Sequence, residues 1–90
     1  MELINRNIII TGAAGLIGAE IAKKIFKQGA NLILSDINIK LLENVSSKLE
    51  SNLNNNYFLV NEDITTEKGI SNLIIKSKKF LKKIDGAIHA

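Results

Sequence analysis

Three glycines recur at three-residue spacing in the stretch Thr11-Gly12-Ala13-Ala14-Gly15-Leu16-Ile17-Gly18. That spacing, placed between a strand and a helix, suits the binding of a pyrophosphate. The first glycine permits a tight turn off the strand. The second, lacking a Cβ, lets backbone approach the phosphates, and the third lets the helix pack closely on the sheet. The free N–H groups of the helix N-terminus then face the anion with a partial positive charge. The alternative is a strand-to-helix turn with no ligand. No Lys-Ser/Thr pair follows the glycines, so this is not the phosphate loop of a nucleoside-triphosphatase. Further along, Asp36 ends the next apolar run. A carboxylate at that point can accept hydrogen bonds from ribose hydroxyls and repels a 2′-phosphate. Ile37 follows it, and the first base nearby is Lys40, which favours NAD over NADP. Asp36 can also start the following turn, and the two roles are compatible.

The elements that would position these residues alternate along the chain. Asn7–Thr11 is a short β-branched run that reads as a strand buried on both faces. From Leu16 to Gln28, Ile17, Ile21, Ala22 and Ile25 mark one face of a helix, and Glu20, Lys23, Lys24 and Lys27 the other. Gly29 closes it as a C-terminal cap. Asn31–Ser35 is a second strand ending at Asp36. A second helix is expected over Ile39–Asn52, capped by Asn38, with Leu42, Val45 and Leu49 inward. The asparagine cluster through Asn56 is a turn, and Tyr57–Val60 a third strand. Thr65 or Thr66 can cap a third helix over Glu67–Lys82, with Ile70, Leu73, Ile74, Ser77 and Leu81 inward. Gly86–His89 is a fourth strand. Alternation at this spacing makes the strands parallel through right-handed crossovers. The expected fold class is therefore α/β: a Rossmann-like parallel sheet in order 3-2-1-4 with flanking helices, the first part of a doubly wound fold.

Ninety residues set the limit at one domain. With 46% apolar residues the composition is that of a globular chain. The absence of cysteine excludes disulfides, thiolate metal sites and cysteine nucleophiles. No metal site is expected. No apolar run approaches the roughly 18–20 residues of a membrane span. The opening residues lack the features of a signal peptide. A soluble cytoplasmic protein without a membrane partner is the expectation. The net charge of +3 gathers partly in Lys76, Lys78, Lys79, Lys82 and Lys83. These lysines read as the solvated face of an amphipathic helix rather than a nucleic-acid surface.

Two further segments complete a set: Asp63-Ile64 after the third strand, and Ile84-Asp85-Gly86-Ala87-Ile88-His89-Ala90 at the end. With Thr11–Gly18 and Asp36, they make the whole chain resemble the short-chain dehydrogenase/reductase superfamily. The resemblance implies a dinucleotide cofactor, with contacts at Thr11, Gly12, Ala14, Gly15, Leu16, Ile17 and Gly18 in the loop and at Asp36 and Ile37 beyond it. It implies that Asp63 meets the adenine amino group and that the backbone of Ile64 lies beside the ring. The family's fourth strand commonly ends Asn-Asn-Ala-Gly beside the nicotinamide-side ribose. His89 and Ala90 stand at the two Asn positions here. The glycine spacing is similar to the extended branch, which includes nucleotide-sugar epimerases and dehydratases. The other segments are more similar to single-domain oxidoreductases of bacterial surface-polysaccharide or flagellin sugar biosynthesis.

The same resemblance implies hydride transfer by a Ser-Tyr-Lys set in which Tyr and Lys stand four residues apart. The chain's one tyrosine, Tyr57, has Asn61 at that distance, so no catalytic residue is assigned. The expectation is a Rossmann half-domain over 1–90, the cofactor half of a longer NAD-dependent oxidoreductase that forms homo-oligomers. The alternatives are an epimerase or dehydratase of the extended branch and a non-catalytic NAD-binding module. The substrate is not legible.

Overall fold

The computed structural model describes residues 2–90. Its elements are β1 (Asn7–Thr11), α1 (Leu16–Lys27), β2 (Asn31–Asp36), α2 (Ile39–Ser46), β3 (Tyr57–Asn61), α3 (Glu67–Phe80) and β4 (Gly86–His89). All strand pairings are parallel and the sheet order is β3-β2-β1-β4, as the alternation predicts.

Side chains alternate across the sheet, so the strands feed two cores. Ile10, Leu32 and Leu34 join Ala22, Phe26 and Leu42 beneath α1 and α2. Ile33 and Val60 meet Leu73 of α3 on the opposite face. Leu32, Ile33 and Leu34 are fully buried, which identifies β2 as a central strand covered on both sides. Each contributes roughly 1.5–3 kcal/mol through burial.

Three expectations about the helices need correction. The buried stripe of α1 is Gly18, Ala22 and Phe26, and Ile17 is 72% exposed rather than inward. The buried stripe of α3 is Gly69, Leu73 and Ser77, which leaves Ile70 and Ile74 nearly half exposed. In both helices a glycine sits where the axis approaches backbone most closely, so the tightest contact carries the least hydrophobic residue. Finally, α2 stops at Ser46, not Asn52, and α3 at Phe80, not Lys82. The Ser46 and Ser47 hydroxyls donate to the carbonyls three residues back, offering the backbone an alternative to further helix. The end of α1 matches its sequence signal. Gly29 takes φ +101°, its N–H donates to the Phe26 carbonyl, and the Ala30 N–H donates to Ile25.

Asparagines lock the amino ends of the strands. The Asn56 N–H donates to Asn31 Oδ1, Asn31 Nδ2 to Asn7 Oδ1, and Asn7 Nδ2 to the Lys83 carbonyl. Asn55 Nδ2 donates to the carbonyls of Phe26 and Ala30. These contacts set the strand register from below, which levels the opposite, carboxyl edge of the sheet.

Asp85 secures β4. Its N–H donates to the Asn7 carbonyl (2.7 Å) and its Oδ2 accepts from the Asn7 N–H (2.9 Å). That backbone hydrogen bond, aided by Lys83 and Arg6, holds the Asp85 carboxyl below its usual range. A depressed folded-state pKa contributes stability above the ordinary carboxylate range, and this is lost as pH falls through the lowered value. Urea midpoints should therefore fall on acidification. They should fall less steeply in Asp85→Asn, which keeps an acceptor but not the charge. An unchanged slope in that variant would remove Asp85 from the acid response.

Candidate nucleotide site at the carboxyl edge of the sheet

The glycine loop leaves β1 through Gly12, which adopts φ +69°. A Cβ there would stand 2.6 Å from the Ala90 carbonyl oxygen, so a side chain is excluded twice over. The contact is fixed by the Ala90 N–H, which donates to the Thr11 carbonyl (3.0 Å). Gly18 is buried under the loop, and a Cβ on it would meet the Gly12 carbonyl oxygen at 2.4 Å. Gly15 is different. It is exposed, its φ is −73°, and an added Cβ would touch only Gly12 O, at 3.4 Å. The fold does not need glycine there, and the open space lies at the mouth of α1.

That mouth is uncapped. α2 is capped by Asn38, whose Oδ1 accepts from the Leu41 N–H, and α3 by Thr66, whose Oγ1 accepts from the Gly69 N–H. The N-cap of α1 is Gly15, with no side-chain hydrogen bond and no acidic residue in the first turn. A helix N-terminus without an internal acceptor suits an anion. Leu16 and Ile17 flank it, 91% and 72% exposed.

Asp36 is tied to this loop. Its Oδ2 accepts from the Ala14 N–H (3.0 Å) and its Oδ1 from the Asn38 N–H (3.0 Å). The same carboxylate therefore braces the loop and starts the turn before α2. A carboxylate offers about four lone-pair sites, so half remain open to a ligand. Asn61, at the end of β3, donates through Nδ2 to the carbonyls of Asp36 and Ile37 and fixes this corner from the other side.

A cleft of about 210 Å³ lies along the sheet edge. It gathers Thr11, Gly12, Asp36, Ile37, Asp63, Ile64 and His89, and adds Ser35, Glu62 and Thr65. Ala14, Gly15 and Leu16 instead border a groove between α1 and α2. Thr11 Oγ1 and His89 Nδ1 are in hydrogen-bond contact at 2.6 Å, joining β1 to β4. Asp63 Oδ1 accepts from the Thr65 hydroxyl (2.6 Å) and N–H (3.0 Å), the hydroxyl chiefly holding the Asp63 carboxyl below its usual range. Glu62 is lowered as well, chiefly by the Lys76 ammonium bonded to it. The rim is acidic beside an N-terminal helix end of opposite character, which separates a place for phosphate from a place for neutral polar groups.

Several participants escape a sequence reading. Asn61 ends β3 with no spacing that marks it, and Thr65, read from the sequence only as a candidate helix cap, instead bonds Asp63. Glu62 carries a detectable signal only through its partner Lys76, on the helix after it. Ser35 has 1% exposure, and its Oγ has no hydrogen-bond partner among the described residues. An unpaired buried hydroxyl costs about 1–3 kcal/mol, so its position within the cleft requires an explanation.

The glycine cradle, the uncapped helix and the unpaired Ser35 all fit a bound dinucleotide. Among the described residues no helix is long and apolar enough to cross a membrane.

Comparison with known proteins bears on the same edge. The family model described as short chain dehydrogenase matches residues 6–90. Post-translational flagellin modification protein A from Campylobacter coli is 31% identical over 88 residues, covering 98% of this chain and 34% of that protein. Among solved structures, hydroxysteroid dehydrogenase from Escherichia coli superposes with TM-score 0.87 at 33% identity, covering 97% of this chain and 37% of that one. A 7α-hydroxysteroid dehydrogenase complexed with NADH and 7-oxo glycochenodeoxycholic acid gives TM-score 0.86 at 34% identity, covering 94% and 33%. The chain spans about a third of the length of these relatives.

Proposed function

Because the chain belongs to the short-chain dehydrogenase family, we propose that its 90 residues form the NAD-binding part of an oxidoreductase acting on an alcohol or carbonyl substrate. The observation that carries this reading is the hydrogen bond from Ala14 N–H to Asp36 Oδ2. It makes the phosphate cradle and the ribose acceptor one rigid unit. The NADH complex of a 34%-identical neighbour supports the choice of NAD, as does the acidic rim, which opposes a further phosphate. The comparisons favour neither the epimerase or dehydratase reading nor the non-catalytic module, and neither is retained.

In this reading the α1 mouth and Gly15 receive the pyrophosphate, and the remaining lone pairs of Asp36 accept the ribose hydroxyls. Asp63 and Ile64 border the adenine, while His89 and Ala90 lie toward the nicotinamide-side ribose. Bound NAD supplies a hydride acceptor, or a donor once reduced. The residues named here bind and orient it, and none of them is assigned a proton transfer. Substrate and oligomerisation belong to the rest of the enzyme.

Calorimetric titration tests the reading. NAD should bind the folded chain and bind more tightly than NADP. Gly15→Ala should lower the melting temperature only modestly, since its Cβ meets only one atom at contact distance and alanine is a poorer N-cap than glycine by under about 1 kcal/mol, while removing most of the NAD heat. No heat with either dinucleotide on folded protein overturns the proposal.

A further inference from the structure

Each of the other side chains that bring a charged or hydrogen-bonding group to the sheet-edge cleft already has a partner within the chain. Thr11 meets His89, Asp36 holds Ala14 N–H, Asp63 and Thr65 hold each other, and Glu62 holds Lys76. Ser35 Oγ has none among the described residues, although it is the most deeply buried of them. Its place in the sheet says which face the hydroxyl lies on. Ser35 pairs in register with Thr11 and Val60, and Thr11 with His89. Register partners share a face, so Ser35 and Thr11 lie on the α3 side together with Ile33. Asp36, the next residue, turns to the opposite side to reach Ala14. Ser35 thus sits at the end of β2 with its carbonyl accepting from the Ala13 N–H of the glycine loop (3.1 Å), while its side chain lies on the α3 side, the face of the sheet opposite the Asp36 carboxylate.

We infer that Ser35 is a specificity-determining contact for the nucleobase, its hydroxyl donating to a ring nitrogen of the purine. The inference rests on the dinucleotide reading above. The ligand's order along the edge supports it: phosphate at the α1 mouth, ribose at Asp36, then the base. Ile37 and Ile64 line that last stretch. Apolar side chains suit the faces of a flat ring, and its polar edge needs a partner that is not already engaged. Ser35 is that partner. A hydroxyl left unpaired in the free protein is satisfied only when the base arrives, so its contribution goes to recognition rather than folding.

The test compares the 90-residue chain with Ser35→Ala and with Ser35→Cys, which fills the position with a slightly larger group that donates weakly. Affinities for NAD and AMP should fall roughly threefold to tenfold in both variants, the effect of one neutral hydrogen bond. Competition by inorganic pyrophosphate, which has no base, should stay unchanged. Melting temperatures should hold or rise, since an unpaired buried hydroxyl is removed. NAD affinity within twofold of the parent in both variants overturns the inference, and so does a joint loss of melting temperature and pyrophosphate binding. A folded parent chain that binds no NAD sinks the dinucleotide reading itself, and this inference with it.

Discussion

Gly69→Ala is expected to destabilise the chain by about 3 kcal/mol or more, the upper end of what single substitutions do. Position 69 lies in the first turn of α3 with ordinary helical backbone, where alanine would normally gain about 1 kcal/mol over glycine. Packing reverses that sign. A Cβ on Gly69 would stand 1.8 Å from the Asp63 carbonyl oxygen, 2.6 Å from its carbon and 2.9 Å from Thr66 Oγ1. The first two are backbone atoms and cannot rotate away. The Asp63 carbonyl is also held in place, accepting from the Thr66 N–H (3.3 Å) and hydroxyl (3.0 Å). Relief must come from moving the start of α3 or the Asp63-Ile64 turn, and the turn borders the cleft. Gly86→Ala is the control, because a Cβ there meets nothing within 4 Å and should change stability by less than about 0.5 kcal/mol. Urea denaturation followed by circular dichroism reads both. A Gly69→Ala midpoint equal to that of Gly86→Ala would show that the turn yields freely.

The importance of Gly69 marks the limit of what sequence periodicity conveys. Element order, parallel pairing and strand order were legible because burial on both faces leaves continuous β-branched runs such as Asn7–Thr11, and because crossovers have one hand. Strand ends and caps were legible where chemistry is local, as at Asn38 and Gly29. The buried stripes of α1 and α3 were not. Hydrophobic periodicity weighs large apolar residues, whereas these helices make their closest backbone contacts, to the loops that follow β1 and β3, through Gly18 and Gly69. At the site, the glycine spacing and Asp36 were legible because each stands at a fixed place beside a strand end and a helix start that periodicity marks, although the contacts that hold them, Gly12 against Ala90 and Asp36 to Ala14, are long-range. Their supports were not. Asn61, Thr65 and the Thr11–His89 contact become meaningful only after the sheet sets distant segments side by side. The asparagines have the same character: as composition they suggest a loop, and in the fold they lace three strands and a helix end together.

Substituting Asp36 should have the largest effect on cofactor choice. Asp36→Ala is expected to weaken NAD binding by one to two orders of magnitude, the effect of losing hydrogen bonds to a charged group at about 1.5–3 kcal/mol. The loss has two sources. The ribose loses its acceptor, and the loop loses the brace at Ala14 N–H. Asp36→Asn separates them. Its amide retains one acceptor oxygen for two backbone donors, Ala14 N–H and Asn38 N–H, and turns an NH₂ group toward the other. It should bind NAD between the parent and Asp36→Ala. The effect on NADP has the opposite sign. With the carboxylate removed, a 2′-phosphate no longer meets a like charge at the end of β2. Asp63 and the Lys76-paired Glu62 remain, so repulsion falls without vanishing. The NAD-to-NADP affinity ratio should therefore shrink by at least about fivefold in Asp36→Ala, since one repulsive contact of this kind amounts to a kcal/mol or more at an effective dielectric near 20. Paired titrations of parent and variants with both dinucleotides measure the ratio directly. If it stays at the parent value while NAD affinity falls, Asp36 braces the loop and discriminates nothing, and cofactor choice must reside elsewhere along the edge.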